Sequence, residues 1–304
     1  MTGAISPQTQ RTLARAISAV ENGYGTLETL LPGLGPRPPG LARLSVFGIT
    51  GPPGAGKSTL VDRLIERFRT RGRTVAVVAV DPSSPFTRGA VLGDRVRMQR
   101  HATDPGVFIR SMASREGAGG LAPATRDAVA LVEAAGFDVC FIETVGVGQV
   151  ELEIVAIADV VAVVTVPALG DSVQTIKAGL TEIADIFIVN MADRPGANAT
   201  TVDLRHMIRE SARDVAVFQT VASEGTGIEE LVEALVEAAS RGAPNAERAV
   251  RFEVVRLMRD RAVRIARRVL DSPSAARLFE QLQAGTATRR DVIDAILSLV
   301  ENED

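Results

Sequence analysis

One stretch of eight residues, Gly51 to Ser58, constrains the fold of this chain more than any other feature. It reads GPPGAGKS and matches the pattern G-x-x-x-x-G-K-[ST] at every position. A continuous apolar run typical of a buried strand precedes it, and residues 59–70 carry apolar side chains at helical spacing. A strand, a glycine-rich loop and a helix in this order place phosphate groups on the helix N-terminus, where unpaired amides and the helix dipole favour negative charge. The sequence therefore predicts a nucleoside triphosphate site.

The residues of this loop have distinct predicted roles. The glycines let backbone amides turn toward phosphate oxygens, the Lys57 ammonium reaches the β and γ oxygens, and the Ser58 hydroxyl ligates Mg²⁺. The predicted nucleotide-binding residues of the loop are Gly51, Gly54, Ala55, Gly56, Lys57, Ser58 and Thr59.

Lysine is scarce in this chain. Of the 34 basic residues, Lys57 and Lys177 are the two lysines, and the others are all arginine. An ammonium is compact and flexible, whereas a guanidinium is planar, so a chain this rich in arginine keeps lysine where that difference matters. Lys177 is therefore a candidate functional residue, and the alternative is an ordinary lysine on a solvated helix.

Composition and charge argue against several classes of function. The net charge is −3 and the arginines are scattered, so the sequence offers no basic stripe for nucleic acid. The sequence has no apolar run of the roughly 18 residues that a membrane span needs, and no apolar core of a signal peptide near its start. Cys140, the single cysteine, lies in an apolar run and is predicted to be buried rather than to bind metal. We expect a cytoplasmic protein without nucleic-acid or membrane partners.

The chain divides into three predicted regions. Residues 1–40 form an N-terminal helical segment that ends in the linker PGLGPRPPG. Residues 41–243 form a nucleotide-binding domain in which continuous apolar runs alternate with helical stretches, which predicts an α/β fold with a doubly wound, mostly parallel sheet. Residues 244–304 show helical spacing, which predicts a C-terminal appendage that packs on the domain or forms a dimer. The predicted strands are residues 44–50, 74–80, 107–110, 139–143, 160–166, 186–190 and 216–219.

Acidic residues follow several of these strands, at the carboxyl ends where such sheets bind ligands. Asp81 ends the second strand and Asp94 lies beyond it, and both carboxylates are candidates to hold Mg²⁺ directly or through water. Glu143 ends a buried strand and is a candidate to orient water or a Mg²⁺ ligand. The loop after it is rich in glycine, and Gly146 can bring a backbone amide to a γ-phosphate. Alternatively, Asp81 only forms a turn before proline and Glu143 only pairs with an arginine.

The strand that ends at Asn190 carries a possible base-recognition pattern. The four residues from Asn190 to Asp193 read NMAD and are similar to the guanine-reading N-K-x-D pattern, with Met191 in place of lysine. The Asp193 carboxylate can accept hydrogen bonds from N1–H and the exocyclic amine of guanine, and Asn190 is expected to tie this segment to the phosphate-binding loop. Met191 can supply the apolar contact of the missing lysine stem. The later loop TVASEGTGI offers backbone amides on the base side, with Ala222 as the candidate contact. Both segments could also be ordinary turns.

Six sets of residues occur in a fixed order along the chain. They are GPPGAGKSTL, VDPSSPF with LGDRVRM, FIETVGVGQVE, VPALGDSVQTIKAGL, NMADRPGA and GTGIEEL. Together they resemble the GTPases associated with methylmalonyl-CoA mutase, over roughly residues 10 to 300. Older descriptions of such proteins name them arginine/ornithine transport ATPases or kinases. The chain departs from the family pattern at Arg88, Val150, Met191 and Val221.

This resemblance implies a homodimeric, Mg²⁺-dependent GTPase that slowly hydrolyses GTP to GDP and phosphate. It also implies a chaperone of an adenosylcobalamin-dependent acyl-CoA mutase, in which GTP gates cofactor loading and protects the mutase. Carried over position by position, Lys57 and Ser58 bind phosphate and metal, and Lys177 lies in a segment that senses the mutase. Asn190 and Asp193 read guanine. The acidic residues for Mg²⁺ and hydrolysis are Asp81, Asp94 and Glu143.

Two other functions are alternatives at this point. A small-molecule kinase or transport-associated ATPase with a P-loop would need an acceptor site and an arginine-rich lid, whereas ETVGVGQ is more typical of a nucleotide-dependent switch. A nickel or cobalt insertase would usually carry a His-rich or Cys-x-x-Cys tract. This chain has two histidines and one cysteine, which disfavours the insertase.

Overall fold

A computed structural model describes residues 3–35, 41–82, 99–114, 123–144, 154–167, 183–210, 215–241 and 245–301. These residues contain nine α-helices and seven β-strands. The helices are α1 (Pro7–Glu21), α2 (Leu27–Leu30), α3 (Lys57–Thr70), α4 (Pro123–Ala134), α5 (Ala197–Glu210), α6 (Ile228–Ser240), α7 (Asn245–Leu270), α8 (Pro273–Gln283) and α9 (Arg289–Glu301). The strands are β1 (Ser45–Thr50), β2 (Val75–Pro82), β3 (Val107–Ser114), β4 (Val139–Thr144), β5 (Val160–Thr165), β6 (Ile186–Asn190) and β7 (Ala216–Thr220). No helix in these ranges combines the length and the apolar character that crossing a membrane requires.

The seven strands form one sheet in the order β3-β2-β4-β1-β5-β6-β7. Every pairing between them is parallel. β1 is central, with Ile49 opposite Glu143 of β4 and Gly48 opposite Val161 of β5. The chain builds one side of the sheet up to β4 and then crosses β1 to build the other side, so the sheet is doubly wound. The predicted α/β fold is confirmed, and the carboxyl ends of the strands meet at one edge, where such folds bind ligands.

Apolar side chains are buried on both faces of the sheet, which explains why the strands read as continuous apolar runs. On one face, α3 and α6 cover a cluster that includes Phe47, Phe68 and Phe141, with ring centroids 5.6 to 5.8 Å apart. On the other face, α1, α4 and α5 cover a second cluster, which contains Cys140. Burial raises the pKa of the Cys140 thiol to about 12. The cysteine is therefore a core residue, as predicted, and its thiol is chemically inert.

β3 is longer than the sequence predicted. It runs from Val107 to Ser114 rather than over residues 107–110, and it pairs with β2 along its whole length. The apolar run that marks its start is interrupted by Arg110 and Ser111. β3 lies at an edge of the described sheet and pairs there with β2, and no continuous apolar run marks its second half.

The chain separates into two compact units, Met1–Ala249 and Val250–Asp304. In the second unit, α8 and α9 pack against each other. The Ser272 hydroxyl accepts a hydrogen bond from the amide of Ala275 at 3.3 Å and so caps the start of α8. Several large apolar side chains of this unit are nevertheless exposed, and they include Val250, Val254, Met258, Val263, Leu270, Phe279, Ile293 and Leu297.

Candidate nucleotide-binding site

The P-loop, residues 51–58, leads from β1 into α3 through glycines in conformations that other residues rarely adopt. The backbone φ angle is +136° at Gly51, +78° at Gly54 and +80° at Gly56. At Gly51 a Cβ atom would lie 2.0 Å from the carbonyl oxygen of Val164 in β5, so the loop backbone rests directly on that strand. Only glycine meets both requirements at this position. Loops with such left-handed positions can turn successive amides toward one anion, which fits the predicted phosphate site.

Lys57 is the first residue of α3, and its ammonium reaches back to the loop. It donates hydrogen bonds to the carbonyl oxygens of Gly51, at 2.7 Å, and Pro52, at 3.0 Å. The side chain is buried in this position. An ammonium held over the P-loop is well placed to bind the β and γ oxygens of a nucleotide.

Ser58 and Glu143 come from different elements and meet at the carboxyl edge of the sheet. The Ser58 hydroxyl donates a hydrogen bond of 2.6 Å to Oε1 of Glu143, and both side chains are buried. A hydroxyl and a carboxylate in contact offer the hard oxygen ligands that Mg²⁺ takes in phosphate sites, where water and phosphate complete the coordination shell. These two residues therefore fit the predicted ion. Within the described ranges, no group of three or more His, Cys, Asp or Glu side chains is placed to hold a metal ion.

The remaining predicted residues of the phosphate end are described in part or lie outside the described residues. Asp81 lies in β2, and its side chain is outside the described part of the chain. Its backbone is two positions beyond Ala79, which pairs with Glu143, so the register brings Asp81 to the same edge of the sheet. Three predicted residues fall outside the described ranges altogether, namely Asp94, Gly146 and Lys177.

Asn190 connects three segments of the site through one buried side chain. Its Nδ2 donates a hydrogen bond of 2.9 Å to the carbonyl oxygen of Ala55 in the P-loop. Its Oδ1 accepts hydrogen bonds from the Thr220 hydroxyl at 3.1 Å and from the amide of Ala222 at 3.2 Å. The predicted tie to the P-loop is present, and it extends to the loop that follows β7.

Met191 occupies a constrained turn directly after β6. Its φ is +56°, and among the described residues it is the only non-glycine residue with a positive φ. The turn is closed by hydrogen bonds from the Ala192 amide to Thr220 and from the Arg194 amide to Met191, both 3.0 Å long. The half-buried Met191 side chain packs against the apolar cluster beneath α3 and α6, while Asp193 is exposed. Asp193 is thus accessible at the carboxyl end of β6.

Arg63 is a residue of this site that the sequence did not identify. It lies in α3, six residues after Lys57, and its Nε donates to the carbonyl oxygen of Ala222 at 3.0 Å. Its Nη2 donates to the carbonyl oxygen of Ser223 at 2.7 Å. Because nearly all the basic residues of the chain are arginines, no local pattern marks this one. The sequence holds no signal for it, because both of its partners are backbone carbonyls of a distant loop.

Comparisons with known proteins identify a family and several relatives of this chain. A sequence model of the family described as "Methylmalonyl Co-A mutase-associated GTPase MeaB" matches residues 13–273. A Pyrococcus horikoshii protein that is named as a GTPase is 52% identical over 235 residues, which are 75% of this chain and 73% of that protein. GTPase ArgK of Escherichia coli is 38% identical over 240 residues, which are 74% of this chain and 71% of that protein.

Two further matches concern a larger protein and a solved structure. A fused isobutyryl-CoA mutase of Cupriavidus metallidurans is 36% identical over 241 residues, which are 75% of this chain and 22% of the mutase protein. The crystal structure of a LAO/AO transport system kinase superposes with a TM-score of 0.62 and 25% identity, covering 99% of this chain and 100% of that one.

Proposed function

The chain belongs to the family of methylmalonyl-CoA mutase-associated GTPases, and we propose that it is a Mg²⁺-dependent GTPase serving an adenosylcobalamin-dependent acyl-CoA mutase. It binds GTP and hydrolyses it to GDP and phosphate. The bound nucleotide gates loading of the mutase with its cofactor and protects the mutase. Two copies of the chain form a homodimer.

The placement of the Asn190 side chain carries this proposal. It joins the P-loop to the loop after β7, so the phosphate end and the base end of the site share one rigid support. Asp193 follows three residues later, on the turn that begins with Met191. An aspartate carboxylate can accept from N1–H and the exocyclic amine of guanine, whereas adenine presents neither donor in that geometry. Guanine is therefore the proposed base, with Met191 against its face and Ala222 in the loop at its edge.

The phosphate end supplies the residues for hydrolysis. Lys57 is proposed to bind the β and γ oxygens, and Ser58 and Glu143 to hold Mg²⁺. Mg²⁺ held by Ser58 and Glu143 would neutralise negative charge that develops on the phosphate oxygens during hydrolysis. The hydrogen bond from Ser58 holds the Glu143 carboxylate at the phosphate end, where it can also orient the attacking water. Further residues complete the proposed set, with Asp81 and Asp94 toward the metal and the Gly146 amide toward the γ-phosphate.

The fused mutase relative supports the proposed partner class. In that protein a region similar to this chain is part of one polypeptide named a mutase. A separate chain of the same family would reach a mutase by binding it. Lys177 is proposed to lie in the segment that senses the mutase, because it is one of two lysines in an arginine-rich chain.

Calorimetric titration with GDP and ADP in the presence of Mg²⁺ tests the guanine site. We expect ADP to bind between about 10² and 10⁴ times more weakly, because it leaves the polar groups that face guanine without partners. Equal affinities for the two nucleotides would refute the assignment.

Single-turnover hydrolysis of GTP tests the phosphate end. Glu143→Gln should slow hydrolysis by about 10²-fold, the usual contribution of a residue that positions or activates water. The affinity for GDP should change by only a few-fold, because the neutral amide can still accept from Ser58. An unchanged rate would remove Glu143 from the proposed mechanism.

The same assay with the mutase tests Lys177. Lys177→Ala should leave the affinity for GTP nearly unchanged and abolish the acceleration that the mutase produces. Full stimulation of the variant would show that Lys177 is an ordinary surface residue.

The similarity to the LAO/AO transport system kinase favours a second candidate function, phosphoryl transfer to a small molecule. The two functions differ in the fate of the γ-phosphate. Labelled GTP incubated with arginine or ornithine should release its label as inorganic phosphate if the chain is a hydrolase. Label recovered on the amino acid would establish the kinase instead.

A further inference from the structure

Side chains from two elements fix the loop that follows β7, residues 221–227. Asn190 accepts the amide of Ala222, and Arg63 binds the carbonyl oxygens of Ala222 and Ser223. The loop is also closed on itself, because the amides of Glu224 and Gly225 donate to the carbonyl oxygen of Val221 at 3.0 and 2.9 Å. Its backbone is therefore held in one conformation by contacts at nearly every peptide group between residues 221 and 225.

The guanidinium of Arg63 is suited to this contact in a way that an ammonium is not. Its planar fork spans two successive carbonyl oxygens, at 3.0 Å from Nε and 2.7 Å from Nη2. The third nitrogen, Nη1, donates to Glu66 at 3.1 Å, one turn further along the same helix. Glu66 is in turn ion-paired with Arg100. A lysine could reach one carbonyl but could not reproduce the fork.

Because peptide groups are planar, the contact between Arg63 and these carbonyls also determines where the neighbouring amides of the loop point. In a trans peptide the carbonyl and the following N–H point in opposite directions. The carbonyl of Ala222 points at Arg63, so the N–H of Ser223 points away from Arg63. The carbonyl of Ser223 also points at Arg63, and the next N–H, of Glu224, is already bonded to Val221. Arg63 thus sets the direction of one particular amide, that of Ser223.

We propose that Arg63 is a positioning residue for guanine recognition, which holds the Ser223 amide toward the O6 acceptor of the base. The inference rests on the proposed function, because it assumes a guanine nucleotide in this site. Arg63 does not touch the nucleotide and acts through the loop backbone. Loss of the Arg63 side chain should therefore lower the affinity for nucleotides that carry an acceptor at position 6 of the base. The affinity for nucleotides without that acceptor should not change.

Three diphosphates separate this role from a general structural one. GDP and IDP share the O6 acceptor and differ in the exocyclic 2-amino group, whereas ADP has an amino group at position 6. Arg63→Gln should lower the affinities for GDP and IDP by the same factor, about tenfold, as expected when hydrogen bonds from a charged group are lost. ADP affinity should stay within about twofold, because its contacts with the P-loop remain. Asp193→Asn should instead change the ratio of GDP to IDP affinity.

Two further variants complete the experiment. Arg63→Lys keeps the charge but not the fork, so most of the tenfold loss should persist. If Arg63→Gln does not fold, Arg63→Lys tests the proposal in its place. Circular dichroism during thermal unfolding shows whether each variant is folded. Arg67→Gln is the matched control, because Arg67 lies on the same helix, is half-exposed and faces Glu229 at 3.6 Å. It should bind all three nucleotides within about twofold of the wild-type protein.

The outcomes distinguish this inference from the proposed function. Equal binding of GDP and ADP by the wild-type protein would refute both. A wild-type preference for guanine that persists unchanged in Arg63→Gln and Arg63→Lys would overturn the inference alone. An equal loss of affinity for GDP, IDP and ADP would also overturn it, since that result is expected of a residue that only supports the helix or the P-loop.

Discussion

Asn190 concentrates three hydrogen bonds in one buried amide side chain. A buried amide loses its hydrogen bonds to water, so it is stable in the core only where protein groups replace them. Ala55, Thr220 and Ala222 provide that replacement. The arrangement also works in the other direction, because the carbonyl of Ala55 and the amide of Ala222 depend on Asn190 in return. Removing the side chain would therefore disturb two loops at once.

Asn190→Ala is expected to lower both nucleotide affinity and stability. Leaving buried polar groups unpaired costs about 1–3 kcal/mol of unfolding free energy. The affinity for GDP should fall by about 10-fold or more, since both the P-loop and the base-side loop lose their common support.

The chain offers a matched control in Asn198. It lies exposed in α5, where its side chain accepts a hydrogen bond from Gln219 at 3.0 Å. Asn198→Ala should change GDP affinity by less than twofold in the same titration. Equal behaviour of the two alanine variants would show that Asn190 has no special role in the site.

Single residues also show what the sequence could and could not predict. Asn190 can be predicted from the sequence, because it is the last residue of a strand and the first of the pattern NMAD. In a parallel sheet the carboxyl end of that strand lies at the same edge as the P-loop. Arg63 was not identified, because its partners are backbone carbonyls about 160 positions away, which carry no signature in the sequence. A contact between a side chain and a distant backbone becomes visible only when the fold brings the two together.

The P-loop depends on its contact with β5. The backbone at Gly51 leaves no room for a side chain, because a Cβ atom would overlap the carbonyl group of Val164. Gly54 has a similarly restricted φ of +78°, yet a Cβ atom there would meet nothing within 4 Å. The two glycines therefore separate the effect of conformation from the effect of close packing.

Gly51→Ala and Gly54→Ala should differ clearly in stability. Gly54→Ala should cost about 1–2 kcal/mol, the usual penalty of a left-handed conformation for an L-residue. Gly51→Ala should cost more than about 4 kcal/mol, because β1 and β5 must also move apart. Thermal or urea unfolding measures the difference, and similar costs for both variants would contradict the contact with β5.

A bidentate ion pair joins α3 to the turn before β3. Arg69 donates to both carboxylate oxygens of Asp104, at 2.9 and 2.8 Å. These hydrogen bonds, with a smaller contribution from the Gly106 amide, lower the pKa of Asp104. A carboxylate with a lowered pKa in the folded state stabilises the protein above its unfolded pKa, and this contribution is lost as the pH falls through the folded value.

Asp104→Asn should therefore lower the melting temperature at pH 7. The difference from the wild-type protein should remain constant down to about pH 4 and shrink at more acidic pH, where the wild-type carboxylate becomes protonated. Asp203→Asn, an exposed position in α5, serves as the control. A difference that grows on acidification would contradict the assigned direction of the pKa shift.

The fold as a whole can be predicted from the sequence more completely than the lengths of its edge strands. The central strands were recognised because burial on both faces requires uninterrupted apolar runs. β3 was predicted too short, because its second half contains Arg110 and Ser111 and forms by pairing with β2. The order of the seven strands depends on which helices cross which face, and that information is not local.

The second unit, Val250–Asp304, exposes apolar side chains in a regular pattern. Val250, Val254 and Met258 recur every four residues on α7, which places them on one stripe of the helix. Their exposed fractions are 62%, 47% and 67%. Exposed apolar side chains aligned on one helix in this way often mark a surface that another protein covers. The proposed homodimer would bury it against a second copy of the chain.

The combined change Val254→Glu and Met258→Glu should convert the proposed dimer into a monomer. Both side chains are exposed, so glutamate at these positions should leave the fold of one chain intact and introduce repelling charges into a symmetric interface. Arg267→Glu, nine positions beyond Met258 and half a turn around the helix, should leave the dimer unchanged. Light scattering at micromolar concentration measures the assembly, and calorimetry should find GDP affinity unaltered in all three proteins. A wild-type chain that runs as a monomer, or a double variant that remains dimeric, would show that this stripe does not join two copies.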